Sequence, residues 1–173
     1  MDELQRITLL DHARSVRDLT IITAARFTAD DAYNVPPNCG NCPIWNIGHV
    51  LVVQETVVLR PFGEKGVLPE VYEELFSEGS CSCAWNGNRP DWDEVISLLE
   101  PVRERVEEFI AAGVDLRRPL ADPCLTATGI VLGNLADSLS FATLHEAIHL
   151  GVLTTYARLL AARGRAVPGP SAR

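Results

Sequence analysis

A long stretch near the end of the chain, from about Leu132 to Arg163, places the strongest constraint on the fold. Its apolar residues recur at steps of three and four, which is the spacing of one face of an α-helix. Two histidines in the segment HEAIH, His145 and His149, share that face because four residues turn about 400°. Both imidazoles are therefore predicted to point into the protein interior. The apolar members of the face are Leu135, Leu139, Ala142, Leu153, Tyr156 and Leu160.

Three further stretches carry helical signals, and none alternates as a half-buried strand does, so the chain is predicted to be all-α. The first predicted helix has Leu19 and Ile22 among its apolar positions, and Pro101 should bend or break the third. Asp91 is the N-cap residue of the third helix, with Glu94 as its capping-box partner. The three helices are predicted over about Asp2 to Phe27, Pro43 to about Leu59, and Asp91 to about Ala112.

The connections between these helices predict the architecture. Residues 61–90 form a long irregular connection with a short helix at PEVYEELF, and residues 114–130 form a loop. Four long helices without strands indicate a four-helix bundle, and the long connection predicts a crossover between helices two and three. The expected organisation is one domain over residues 1–165, followed by a flexible tail over residues 166–173.

HEAIH fits the H-E-x-x-H pattern of zinc peptidases, which supplies two ligands and a general base, here Glu146. Zinc needs a third protein ligand, but after His149 the chain contains no Glu, Asp, His or Cys. The third ligand must therefore come from upstream, which disfavours a peptidase. Glu146 lies about 100° away from the histidine face. It is a candidate for catalysis, for a bond across the bundle, or for a solvated edge position.

Two other histidines are present upstream. His12 follows Asp11 in the first predicted helix and is interpreted as a surface or boundary residue. His49 lies in CPIWNIGHVLVV and shares a helical face with Trp45 and Val52. A lone histidine in such a place is ordinarily a hydrogen-bonded packing residue. Beside an incomplete two-histidine site, however, it becomes the candidate third ligand, and three imidazoles leave a coordination position for water or substrate.

The segments WNIGHVLV, LPEVYEELFSEGS and HEAIHLG together resemble the DinB/YfiT-like superfamily, and the resemblance covers nearly the whole chain. It implies a four-helix bundle with an unusual crossover, often dimeric. It also implies a divalent metal bound by three imidazoles, which carry over onto His49, His145 and His149. Relatives include thiol-dependent S-transferases and a mycothiol-dependent isomerase. Relatives often have Gln where this chain has Val152, so no substrate contact is carried over.

Four of the five cysteines form two pairs in the connections, Cys39 with Cys42 in CGNC and Cys81 with Cys83 in CSC. A chain of this size does not need disulfides for stability, so they are interpreted first as reduced thiols. Four thiolates would also suit a structural zinc site, and C-x-x-C fits a redox pair. The crossover predicts both pairs at the start of the second helix, as a second metal or redox site or as unlinked thiols. Cys124 has no partner by spacing.

Charge and hydropathy limit the partners and the location. The 173-residue chain has a net charge of −8 and no basic cluster, which argues against nucleic acid and anionic membranes as partners. The start, MDELQRITLL, lacks the basic and apolar regions of a signal peptide. The apolar run VLVV is far too short to span a membrane. We therefore expect a cytoplasmic protein.

These features together predict a metal-dependent enzyme that acts on a small molecule. The expected cofactor is a divalent zinc, nickel or iron ion that activates water or a thiol, with a low-molecular-weight thiol as a candidate second cofactor. The reaction would be that of a hydrolase or, as the resemblance implies, of a thiol-dependent S-transferase, and the resemblance also implies a homodimer. The alternatives are a non-enzymatic metal-binding or stress-related protein and, less favoured, a zinc peptidase.

Overall fold

The structure is a computed structural model that describes residues 3–163. The predicted flexible tail, residues 166–173, lies outside the described residues. The described chain is mostly helical, as the sequence predicts, and contains one small sheet. Its helices are α1 (Glu3–Ala24), α2 (Ala29–Ala32), α3 (Pro43–Gln54), α4 (Val71–Phe76), α5 (Trp92–Ser97), α6 (Leu99–Ala111) and α7 (Leu135–Arg163).

Four of these helices, α1, α3, α6 and α7, pack together. Helix α7 contacts both α1 and α3, and α6 contacts the same two helices. Two apolar clusters fill the space between them, one around Ile44, Phe76 and Leu153 and the other around Ile110 and Leu135. The predicted inward face of α7 is confirmed, since all six of its apolar members are buried.

The second predicted helix ends in the region that the sequence indicates, but through a change of helix type. Helix α3 passes into a π-helical turn over Glu55–Leu59 and then a 3₁₀ turn over Arg60–Phe62. The buried carboxylate of Glu55 accepts hydrogen bonds from the backbone amides of Val67 and Leu68, at 2.6 and 3.0 Å. These bonds anchor the start of the long connection to the end of α3.

The third predicted helix is broken in the way that its proline suggests. Asp91 is the N-cap residue of α5, and its carboxylate accepts a hydrogen bond from the backbone amide of Glu94 at 3.0 Å. Helix α5 ends at Ser97, and α6 begins at Leu99. Pro101 therefore lies in the first turn of α6, where its missing amide leaves no helical hydrogen bond unmade.

The prediction that residues 114–130 contain no strand is wrong. Strand β1 (Pro119–Leu125) pairs antiparallel with β2 (Val131–Asn134), and Gly129 turns between them with a φ of +82°. The hairpin also delays the start of α7 to Leu135. Strand β1 has a single buried residue, Leu120, so it lacks the apolar alternation by which strands are recognised.

The buried face of α1 also differs from the apolar face that the sequence suggests. Leu19 and Ile22 are 51% and 63% exposed, whereas Arg17 is only 1% exposed. The guanidinium of Arg17 donates to both carboxylate oxygens of Glu146, at 2.7 and 2.9 Å. It also donates to the carbonyl oxygen of Leu99 and to the side-chain oxygen of Gln54. One side chain thus joins α1, α3, α6 and α7.

Replacing Arg17 with alanine should lower the free energy of unfolding by about 3–5 kcal/mol, because Glu146 would be left buried and uncompensated. Urea denaturation monitored by circular dichroism measures this loss. The double variant Arg17→Met/Glu146→Met removes both charges and should recover most of it. As a control, Arg14 pairs with Glu107 at the surface, so Arg14→Ala should cost less than about 1 kcal/mol. A double variant as unstable as Arg17→Ala would contradict the expectation.

Candidate metal centre

Three imidazoles meet between α3 and α7. His49, His145 and His149 each offer a ring nitrogen, and the three atoms lie within 4.8 Å of one another. The ring centroids are 5.0 Å apart for His49 with either neighbour and 4.6 Å apart for the other two. Within residues 3–163, no other group of three histidine, cysteine or acidic side chains has this geometry. The structure therefore brings together the three histidines singled out from the sequence.

The ring of His49 is fixed on two sides by its surroundings. Its Nδ1 donates to the carbonyl oxygen of Phe76 at 2.6 Å, and the indole of Trp45 stacks on it with a centroid distance of 4.6 Å. Gly48 allows this approach, because a Cβ at that position would lie 2.4 Å from the Phe76 ring. The hydrogen bond leaves Nε2 of His49 as the unprotonated nitrogen.

His149 is oriented by a buried amide on the facing helix. Its Nδ1 donates to Oδ1 of Asn46 at 2.9 Å, while Nδ2 of Asn46 donates to the carbonyl oxygen of Cys42 at 2.9 Å. Because the amide oxygen only accepts hydrogen bonds, Nδ1 of His149 carries the proton and Nε2 carries a lone pair. This is the usual arrangement of a metal-binding histidine held by a second protein group.

His145 provides the test of whether a metal fits the site. Its Nδ1 is buried and has no hydrogen-bond partner among the described residues. A buried polar atom without a partner is costly, and here it lies on a ring beside two other imidazoles. Three convergent imidazoles are a donor set of catalytic zinc sites and also suit nickel and iron. The residues therefore fit a divalent metal ion.

The electrostatic environment keeps the three rings uncharged. Burial, and then the charge of a neighbouring imidazole, lower the pKa of His145 to about 4 and that of His149 to about 3. Burial also lowers the pKa of His49, opposed by the hydrogen bond to Phe76 and by the charge of Glu78. All three rings are therefore neutral at pH 7, and the neutral imidazole is the form that binds metal.

A cavity of about 440 Å³ opens beside His49 and His145. Its walls are mainly apolar and include Val52, Val53 and Phe141, while the tip of the β1–β2 hairpin, residues 124–128, forms one side. The charged residues in its lining are acidic, Glu73 and Glu78, and no lysine or arginine lines it. The cavity gives a small molecule access to two of the three imidazoles.

Glu146 lies between the two histidines in sequence but faces another way. It is 4% exposed and binds Arg17 through both carboxylate oxygens, so the solvated edge position considered for it is wrong. The structure shows a bond from Glu146 to Arg17 on a neighbouring helix, and a catalytic role stays a prediction. The exposed position of His12 on α1 is as predicted.

Two residues that support the site were not predicted from the sequence, Asn46 and Arg17. Asn46 lies in a largely apolar helix, three residues before His49, and this polar residue in an apolar segment was the available signal. Arg17 is a charged side chain on the buried face of α1, which apolar periodicity does not detect.

The two cysteine pairs lie close to each other, as expected. Ser82 donates its backbone amide to Oδ1 of Asn41 at 3.0 Å, which joins the two connections. The expectation of reduced thiols is wrong for one pair, since Cys81 and Cys83 form a disulfide. Cys39 and Cys42 are free thiols. Spacing alone does not set the redox state of a cysteine pair.

A sequence model of the DinB superfamily matches residues 12–153, a span that contains all three histidines of the site. No curated protein matches the chain. Within the described residues, no helix combines the length and the apolar character needed to cross a membrane.

We expect the untagged protein to bind one divalent ion per chain, and substitution of His49, His145 or His149 by alanine to abolish stoichiometric binding. Asn46→Ala should weaken binding by about 10- to 100-fold, because it releases the His149 ring. Elemental analysis after dialysis and calorimetric titration measure both effects, with the exposed His12→Ala as control. Full metal content in His49→Ala, together with none in His145→Ala, would refute a three-histidine site.

Proposed function

We propose that this chain, which belongs to the DinB superfamily, is a metal-dependent enzyme that acts on a small molecule. The observation that carries the proposal is the convergence of three neutral imidazoles beside an apolar cavity. His49, His145 and His149 would hold the metal, and zinc, nickel and iron all suit three imidazoles. A divalent ion bound there supplies Lewis acidity to a water molecule or a thiol. The reaction class is therefore hydrolysis or thiol-dependent S-transfer, with a low-molecular-weight thiol as the second cofactor.

The cavity favours an enzyme over a non-enzymatic metal-binding protein. A metal site that serves only storage or protein stability needs no empty space beside its ligands. Here a cavity of about 440 Å³ borders His49 and His145. This volume is in the range that small-molecule sites occupy. Val52, Val53 and Phe141 would exclude water from the reacting atoms and hold an apolar acceptor.

The charges around the cavity favour a neutral or cationic acceptor. Glu73 is paired with Arg60, whereas Glu78 has no ion-pair partner in the described chain. Because the lining lacks basic groups, an anionic substrate would meet uncompensated negative charge. Glu78 lines the cavity and its charge raises the pKa of His49, so it is close to the site. We propose it as the proton acceptor for a water or thiol in the cavity, a role for which Glu146 is less well placed.

Exposed apolar residues on α1 and α7 support a homodimer. Leu19 and Ile22 on α1 and Leu144 and Ile148 on α7 are all about half exposed or more. Helices α1 and α7 pack side by side, and exposed apolar faces on adjacent helices are typical of contacts between subunits. We also propose the crossover bundle topology of the superfamily, with α3 and α6 joined by the long connection.

Activity should require both the histidines and the space beside them. We expect the metal-loaded protein to accelerate the reaction of a small thiol with neutral electrophiles, measured by thiol consumption across a panel. Val53→Trp should fill the cavity and lower the rate at least about tenfold without changing metal content. Val67→Trp is the matched control, because Val67 is exposed and lies outside the cavity lining. Glu78→Gln should lower kcat by about 10²- to 10⁴-fold with metal retained.

An equal rate in the protein and in its His49→Ala variant would contradict metal-dependent catalysis. Unchanged activity in Val53→Trp would instead place the reaction elsewhere. An unchanged kcat in Glu78→Gln would contradict the proposed role of Glu78 as proton acceptor and leave the metal-dependent reaction in place.

If the exposed apolar residues of α1 and α7 form the dimer contact, charged substitutions there should separate the subunits. Sedimentation velocity should show a dimer for the native chain and a monomer for Ile22→Glu/Ile148→Glu, because each substitution would bury a charge in the interface. Circular dichroism checks that the variant stays folded. A native monomer across the micromolar range would refute the proposal.

A further inference from the structure

The cysteines at the start of α3 form a second cluster of reactive groups, separate from the metal centre. Cys81 and Cys83 are joined by a disulfide, while Cys39 and Cys42 remain thiols. The metal-centre chemistry uses none of these four groups. Their arrangement places a dithiol beside a disulfide, the two partners required for exchange.

One cysteine of each pair lines a shared cavity, and Ser82 connects the two segments by hydrogen bonds. Cys42 and Cys83 both line a cavity of about 470 Å³, together with Ser82 between the bridged cysteines. The Ser82 side chain hydrogen-bonds the thiol of Cys42. The backbone amide of Ser82 donates to Oδ1 of Asn41, the neighbour of Cys42, at 3.0 Å. The thiol of Cys42 is therefore held next to the disulfide and has open space beside it.

We propose that these four cysteines form a thiol–disulfide exchange site. In the first step the thiolate of Cys42 attacks Sγ of Cys83. A Cys42–Cys83 bond forms, the Cys81–Cys83 bond breaks, and Cys81 leaves as a thiolate. The backbone amide of Cys83 already donates to Sγ of Cys81 at 3.1 Å, which would stabilise the departing negative charge.

In the second step the thiolate of Cys39 attacks Sγ of Cys42 and releases Cys83. The product is a Cys39–Cys42 disulfide with thiols at Cys81 and Cys83, which take up the protons that Cys39 and Cys42 lost. Two electrons pass from the first pair to the second, so the step needs no outside oxidant. The C-x-x-C spacing of Cys39 and Cys42 is that of pairs that form disulfides in redox proteins.

The burial of Cys42 predicts how the rate depends on pH. Burial raises the pKa of its thiol, and the hydrogen bond from Ser82 opposes that shift only in part. The thiolate is the nucleophile, so its population increases about tenfold for each pH unit below the pKa. Exchange should therefore be slow at neutral pH and accelerate towards alkaline pH.

The test maps disulfides in the full chain with Cys124→Ser as background, which removes the remaining free thiol. The protein is equilibrated with mixtures of reduced and oxidised dithiothreitol, quenched in acid, alkylated and digested with trypsin. Lys65 lies between the pairs, so mass spectrometry separates a bridge within a pair from one between pairs. We expect a single sample to contain both molecules with the Cys81–Cys83 bridge and molecules with the Cys39–Cys42 bridge. The rate at which one form converts into the other should increase about tenfold per pH unit.

Two variants decide between exchange and a fixed structural disulfide. Cys39→Ser blocks the second step and should accumulate the Cys42–Cys83 bridge with Cys81 alkylated. Cys42→Ser should keep only Cys81–Cys83. If Cys39→Ser shows only Cys81–Cys83 with Cys42 alkylated, the proposal is overturned. If that variant does not fold, absence of a Cys39–Cys42 bridge in the background protein at every dithiothreitol ratio overturns it equally. None of these readouts requires bound metal or catalysis.

Discussion

The buried guanidinium of Arg17 is the interaction on which the arrangement of the long helices depends. It extends from α1 to Gln54 at the end of α3, to the carbonyl of Leu99 at the start of α6, and to Glu146 in the middle of α7. A buried ion pair of this kind adds little net stability, since both charges lose their hydration. It does penalise any helix register that leaves one of its members unpaired. Because Glu146 lies next to His145 in α7, the register that satisfies Arg17 also sets the position of the histidines.

The candidate metal centre reflects the same conflict between polar groups and an apolar interior. Three rings in a largely apolar space are more stable uncharged, and each must then find a partner for its N–H group. Phe76 and Asn46 provide such partners for His49 and His149. Asn46 also holds the carbonyl of Cys42, so one amide links the first residue before α3 to a histidine on α7. Each of these two hydrogen bonds leaves its ring a single available nitrogen, whereas Nδ1 of His145 has no partner among the described residues.

The features predictable from sequence were those determined by local chemistry. Proline and glycine marked the ends and the break of the helices, and apolar spacing identified the inward face of α7 with its two histidines. His49 required a further argument, that a two-histidine site needs a third ligand. Arg17 escaped prediction because its burial depends on Glu146, 129 residues away. The hairpin escaped it because β1 rests on one buried residue and on pairing with β2, and neither produces an alternating pattern.

The hairpin borders the cavity but contributes no residue to the three-histidine cluster. Its tip supplies one wall of the cavity, yet the three histidines and nearly all of the apolar core belong to the helices. Substitutions or insertions in residues 124–128 could change which molecules enter without disturbing the metal ligands. A gene for such a chain could diverge at the mouth of the cavity while the three histidines stay constant. Changes in this loop would alter one wall of the cavity, whereas changes at Val52, Val53 or Phe141 would alter walls that the helices themselves supply.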